Sequence, residues 1–166
     1  THPSCPVNFA NGWCKTNRPI VVLLIAHTKI VLSTLQELAK YHRSQLAIPF
    51  IGITGSNGKT TTKELINCVL SKSFKTKATK GNYNNHIGVP LTLLEVTQED
   101  EIAIIEMGAN HQGEIAFLSS ISQPDYGLIT NIGKAHLEGF GGIEGIKKGK
   151  SELYKYIEKN GGKIFI

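Results

Sequence analysis

"GITGSNGKTTTKE", residues 52–64, decides how this chain folds, and the placing of its glycines raises a question. The common phosphate-cradling loop reads G-x-x-x-x-G-K-[ST], and counting back from Gly58-Lys59-Thr60 puts Ile53 where the first glycine belongs. The segment still has the parts of a phosphate loop. Gly55 and Gly58 flank Ser56-Asn57 directly after an apolar strand candidate, and Lys59-Thr60-Thr61 opens a helical pattern. Backbone N–H groups and a helix N-terminus can therefore converge on a phosphate. Lys59 would reach the β/γ-phosphates, and the Thr60 hydroxyl would hold Mg²⁺. A plain strand–turn–helix connection with a fortuitous GKT would share these glycines; the strand before and the amphipathic helix after favour the phosphate loop.

Outward from this loop, strand and helix patterns alternate. "IPFIGIT" (48–54) is a short buried strand, and further strands are expected at "FKTKAT" (74–79), "EIAIIEM" (101–107), "YGLIT" (126–130) and "KIFI" (163–166). Val31, Leu35, Leu38 and His42 recur at helical spacing in 31–43, and Leu65, Ile66, Val69 and Leu70 fall on one helical face after the loop. Helical patterns also fill 89–96, 113–121 and 143–159. This alternation predicts an α/β fold, a mostly parallel sheet with helices on both faces. Ligands in such sheets sit at the carboxyl ends of the strands, where the glycine loop falls.

A chain of 166 residues with 40% hydrophobic content can build one compact domain with a substantial core. Its 18 Lys+Arg against 13 Asp+Glu give +5, without a block of like charges that would suggest a nucleic-acid arm. That balance suits an anionic small substrate and suits a merely solvated surface equally. Cys5, Cys14 and Cys68 are odd in number and form no C-x-x-C pair, so a reducing cytoplasm is expected rather than a disulfide framework or zinc site. The apolar run "IVVLLIA" (20–26) is too short to span a membrane and is read as a buried strand. Residues 1–30, rich in Pro, Asn and Cys at their start, have no sustained period and are expected to be a remnant of a preceding domain or poorly ordered. The chain begins at Thr1 and its only methionine is Met107, so a fragment is expected.

A Mg·ATP site needs further oxygen ligands. "IAIIEMGAN" ends an apolar strand in Glu106, which puts a carboxylate at the carboxyl edge of the sheet in the manner of a Walker-B acid. In "TNIGKAHLEGFGG" (130–142) the glycines let the backbone turn tightly around Asn131 and His136, two further candidates. A lone loop histidine is more often a surface residue.

"TGSNGKTTTKE", "KGNYNNHIGVPLTLL", "EMGANHQGEI" and "TNIGKAHLEGFGGIEGIKKGKSEL" occur in the order and spacing of the Mur ligases, which make the bacterial cell-wall precursor, and from about Leu35 to Ile166 the chain resembles that family. The family loop is T-G-[TS]-x-G-K-[TS]; Thr54 to Thr60 match it, and Ile53 is no defect. The NN-x-I-G-x-P and E-M-G-A-N-x-x-G-E-I runs resemble most closely the member that adds D-alanyl-D-alanine.

The resemblance implies an ATP-dependent amide ligase of peptidoglycan precursor synthesis. Its substrates would be UDP-N-acetylmuramoyl-tripeptide and D-Ala-D-Ala, joined through an acyl phosphate, with ATP and Mg²⁺ as cofactors and a monomeric, cytoplasmic enzyme. Phosphorylation turns a poor electrophile, the carboxylate, into one with a leaving group. The catalytic set implied is Lys59, Glu106, His136 and Lys150. Nucleotide binding would fall to Thr54, Gly55, Ser56, Asn57, Gly58, Lys59, Thr60, Thr61, Asn84, Asn85 and Asn131. Thr60 and Glu106 would hold one Mg²⁺; His136, and Lys150 if carbamylated, would hold a second. Asn84 and Asn85 also read as an asparagine-rich turn without a ligand, and Lys150 as one solvated lysine beside Lys147 and Lys148.

By the same resemblance, residues 1–47 are expected to be a remnant of the UDP-sugar domain with a linker helix. Residues 48–166 would be an incomplete ATP-binding central domain, with the C-terminal domain absent and this length inactive alone. A nucleotide-binding fragment without activity and a ligase of the folylpolyglutamate synthetase type are the alternatives. A GTPase is disfavoured because no N-K-x-D run occurs in the chain.

Overall fold

The computed structural model describes residues 18–133 and 137–166. The chain divides into two compact units, Thr1–Thr34 and Leu35–Ile166. The described part of the first is helix, the beginning of α1 (Arg18–Ser44).

The second unit takes in the end of α1, β1 (Phe50–Thr54), α2 (Lys59–Leu70), β2 (Thr76–Ala78), α3 (Gly88–Leu94), β3 (Ile102–Glu106), α4 (Glu114–Ser122), β4 (Tyr126–Ile129), α5 (Leu137–Phe140), α6 (Ile143–Lys150), α7 (Glu152–Lys159) and β5 (Lys163–Phe165). Five strands pair in the order β2-β3-β1-β4-β5, all parallel. Parallel neighbours require crossover connections, which the intervening helices supply. The expected α/β sheet is therefore observed, with β1 at its centre and the loops after β1, β2, β3 and β4 opening on one edge.

Alternation along the strands divides the interior. Phe50 on β1 and Ala103, Ile105 and Met107 on and after β3 join Val89, Leu93, Ile115, Leu118, Ile146, Leu153 and Ile157 in the main core under α3, α4, α6 and α7. Ile104 and Glu106, one residue out of phase, point to the opposite face, where α2 packs. A Cβ on Gly127 would lie 2.3 Å from Ile157 Cδ1, so glycine there lets α7 close on β4.

The end of α1 is fastened to this unit by Arg43. Its guanidinium donates to Ser122 O at 2.9 Å and Gln123 O at 2.8 Å, pairs with Asp125 Oδ2 at 3.2 Å and stacks 3.8 Å above the Phe50 ring. Leu46 O accepts from Nη1 at 3.0 Å as well, so each guanidinium nitrogen meets an acceptor, which offsets burial of the charge.

Three expectations are corrected. "IVVLLIA" is not a strand but part of α1, continuous with the helical pattern after it; a short apolar run carries no period of its own to separate the two. The 143–159 pattern is two helices meeting at Ser151, and α5 had no sequence signal. On α2 the apolar face does not turn inward: Leu65 is 63% and Val69 70% exposed, while Lys63 is fully buried. Polar ties from Thr60 and Lys63 to the sheet set the helix rotation. The expectations for residues 1–17 lie outside the described residues.

Candidate nucleotide and metal site

The loop between β1 and α2 is shaped by one obligatory glycine. Gly55 has φ +146°, and a Cβ there would fall 2.0 Å from Thr130 Oγ1. No other residue accepts that backbone at that distance. The loop after β4 braces it: Asn131 O accepts from Ser56 N at 3.1 Å, Asn131 Oδ1 from Asn57 N at 3.0 Å, and Thr130 Oγ1 donates to Asn57 O at 2.7 Å. The Lys59 ammonium folds back to Gly55 O at 2.8 Å. Burial lowers its pKa below the ordinary lysine value, against the opposing pull of Glu106. The first turn of α2, with its unsatisfied N–H groups, opens on the same cleft.

Glu106 sits at the end of β3, 1% exposed. Its Oε1 accepts from Thr60 Oγ1 at 3.1 Å and from Asn84 Nδ2 at 2.8 Å. Its Oε2 is buried and has no hydrogen-bond partner. A bare carboxylate oxygen in the interior is costly unless something else binds it. A carboxylate and a hydroxyl beside the glycine loop, with an amide N–H holding the carboxylate in place, form a hard-oxygen pair that fits Mg²⁺, whose remaining ligands come from phosphate and water. Among the described residues no group of three or more His, Cys, Asp and Glu gathers, which sets this apart from an all-protein metal cage.

A cavity of about 560 Å³ adjoins the loop, with Ser56, Lys59, Asn84, Asn110 and Lys150 among the residues that line it. Lys150 is 2% exposed; its Nζ donates to Ala109 O at 3.3 Å and lies 5.2 Å above the Phe140 ring. Burial, with the nearby Lys59 charge, lowers its pKa to about 8. Lys147 and Lys148 are exposed, and Lys147 pairs with Glu144 at 2.7 Å. The 108–113 loop on the cavity wall is held by carboxylates: Glu152 accepts from Gly113 N at 2.7 Å and Ala116 N at 2.9 Å, and Glu114 from Asn110 N at 2.6 Å.

Gly55, Ser56, Lys59, Thr60, Asn84, Glu106 and Lys150 thus line two adjoining pockets that share Ser56, Lys59 and Asn84, with Gly55 and Lys150 in one and Thr60 and Glu106 in the other. Thr54 is buried with its hydroxyl on Met107 O, so its side chain ties β1 to β3 and does not enter the loop. Asn85 lines the cavity, and its Oδ1 accepts from Ile87 N and Gly88 N at the start of α3. Asn57, Gly58 and Thr61 are exposed around the loop and helix start. Asn131 supports the loop through the contacts above. His136 lies outside the described residues. Sequence reasoning missed Lys63, Thr79, Thr130 and Glu152; for Lys63 a signal existed, since it stands one turn from Thr60 on the same face.

Residues 53–166 match the Mur ligase middle domain. The chain belongs to the Mur ligase family. It is 45% identical over 145 residues to the UDP-N-acetylmuramoyl-tripeptide--D-alanyl-D-alanine ligase of Bacillus subtilis (strain 168), covering 87% of this chain and 31% of that protein. With the ligase of that name from Escherichia coli (strain K12), identity is 44% over 154 residues, 90% of this chain and 33% of the other. Among solved structures, MurF from Acinetobacter baumannii superposes with a TM-score of 0.74 at 50% identity, over 76% of this chain and 28% of that one. MurF ligase from Thermotoga maritima in complex with ADP superposes with a TM-score of 0.71 at 39% identity, over 75% and 29%. The chain therefore spans about a third of the length of the curated Mur ligases it matches. Among the described residues no helix is long and apolar enough to cross a membrane.

Proposed function

We propose that this chain is the nucleotide-binding part of an ATP-dependent Mur ligase that joins D-Ala-D-Ala to UDP-N-acetylmuramoyl-tripeptide. The observation that carries the reading is the Thr60–Glu106–Asn84 cluster, with its bare carboxylate oxygen, beside a glycine loop only a small backbone can form. In this reading residues 48–166 belong to the ATP-binding central domain and 1–47 to the UDP-sugar side with its linker helix. Work in a reducing cytoplasm, as a monomer, completes the proposal.

Mg²⁺, held by Thr60 and Glu106, would neutralise phosphate oxygens as charge shifts during phosphoryl transfer. Lys59 would leave Gly55 O for the γ-phosphate and add a positive charge there. The loop N–H groups and the start of α2 would orient the phosphates. Asn84 holds Glu106 by its Oε1, leaving the buried Oε2 without a partner and free to bind the metal. Lys150, buried and with its pKa lowered, is suited to react as a neutral amine with CO₂; as a carbamate it would turn from a cation into an oxygen ligand, with His136, for a second metal. The acceptor carboxylate would take the γ-phosphoryl group of ATP, releasing ADP, and the dipeptide amine would attack the acyl phosphate, losing a proton and expelling inorganic phosphate.

The test is ADP release by the gene product that carries this chain, with both substrates and with each omitted. Release that needs UDP-N-acetylmuramoyl-tripeptide and D-Ala-D-Ala together supports the reading. Turnover with folate and glutamate instead would move it to the folylpolyglutamate synthetase type.

A further inference from the structure

We propose that Lys63 is a positioning residue that sets the spacing between Thr60 and Glu106; this rests on the reading of that pair as a Mg²⁺ site. Lys63 is fully buried. Its Nζ donates to Thr79 O at 2.6 Å and pairs with Glu64 Oε1 at 2.7 Å, a carboxylate whose side chain is 59% exposed. Thr79, 1% exposed, is the next link: its Oγ1 accepts from Glu106 N at 2.9 Å, and its own N–H donates to Ile104 O at 3.0 Å. The backbone of the metal-binding glutamate is thus fixed by the residue whose carbonyl Lys63 grips.

Two ties therefore join α2 to the end of β3. Thr60 reaches the Glu106 carboxylate directly, and Lys63, one turn later, reaches the Glu106 backbone through Thr79. Thr79 also stands at the base of the loop that delivers Asn84, whose Nδ2 holds Glu106 Oε1 and whose O accepts from Gly108 N at 2.7 Å. Helix, strand and loop meet at one buried ammonium. A leucine or methionine would fill the same volume without desolvating a charge, and two apolar residues of this helix, Leu65 and Val69, are left in solvent instead. The ammonium is kept where a directional, three-donor group can hold two elements at fixed distance. Partners behind metal ligands that orient them in this way commonly govern metal affinity.

The test is calorimetric binding of the β,γ-imido analogue of ATP to the protein, once with excess Mg²⁺ and once with EDTA. The ratio of the two affinities is the gain due to the metal. Lys63→Met should shrink that gain by about tenfold or more, with the EDTA affinity unchanged. Thr79→Val, which removes the acceptor for Glu106 N and with it the longer Oγ1 contact to Ile104 O at 3.4 Å, should do the same and decides the matter if Lys63→Met fails to fold. A full gain in the variants overturns the proposal, and so does a parallel loss with and without metal, which marks a purely structural lysine. A wild type that binds the analogue with no metal-dependent gain overturns the reading of the site itself, and the proposal with it.

Discussion

The Thr60 hydroxyl lies 3.1 Å from Glu106 Oε1, joining the first turn of α2 to the end of β3, and it leaves Glu106 Oε2 buried without a partner. A helix start that holds a carboxylate in this way concentrates negative charge where a phosphate loop already directs N–H groups. A cation shared with phosphate oxygens would give that buried oxygen its missing partner.

Removing charge from that arrangement should show in turnover. Lys59→Ala in the gene product carrying this chain is expected to lower kcat by about a hundredfold or more, since it withdraws stabilisation of developing phosphate charge. Lys59 bonds to loop carbonyls and not to the core, so the melting temperature should stay close to wild type. An unchanged kcat would refute the role.

The loop glycines should differ in cost. Gly55→Ala combines a disfavoured φ of +146° with a Cβ 2.0 Å from Thr130 Oγ1, whereas at Gly58, φ +76°, the added methyl meets open space. Strain of this kind costs about 1–3 kcal/mol, and at Gly55 the overlap adds to it. Denaturant midpoints should therefore fall clearly further for Gly55→Ala, and Gly55→Ala with Thr130→Ala should recover part of the loss.

How much of this was legible beforehand depends on whether the signal was local. The five strands and the glycine loop were readable because alternation, glycine spacing and an apolar run ending in Glu106 are properties of short stretches. The rotation of α2 was not, since its apolar stripe pointed the wrong way and two polar ties across the sheet overruled it. The 20–26 run was misread because an unbroken apolar stretch has no period. Gly55 could be seen to be special, but its reason, Thr130 Oγ1, is 75 residues further along the chain.

Lys150 should react with CO₂ in a pH-dependent way. Its pKa is lowered to about 8 from the usual 10.5, by burial first and by the Lys59 charge second. The neutral amine needed for a carbamate is then abundant only above about 8, and incorporation of labelled bicarbonate should rise through that pH. Between 8 and 10.5 the unfolded chain binds more protons at this residue than the folded one, so its contribution to stability should rise across that window and be lowest below it. The difference in stability between wild type and Lys150→Met should follow that sign. Lys150→Ala should lose most activity and regain part with a short carboxylic acid, while the exposed Lys148→Ala stays near wild type; equal, unrescued effects would exclude the carbamate.

Glu152 should matter to the cavity wall although it enters no chemistry. It accepts from Gly113 N and Ala116 N at the start of α4, as an N-cap supplied by another helix. Glu152→Ala should cost about 1 kcal/mol of stability, read from thermal melts. Glu158→Ala, at an exposed position on the same helix, is the control.

Whether a Mg²⁺–nucleotide site lies between α2 and β3 is decided by a crystal structure of the protein grown with Mg²⁺ and the β,γ-imido analogue of ATP. Phosphates are expected over the Gly55–Thr60 loop and a metal at about 2.1 Å from Thr60 Oγ1, with Glu106 Oε2 directed at it either in contact or through one water. Phosphates seated elsewhere, or a metal with Glu106 Oε2 still buried and unpartnered, would contradict that site.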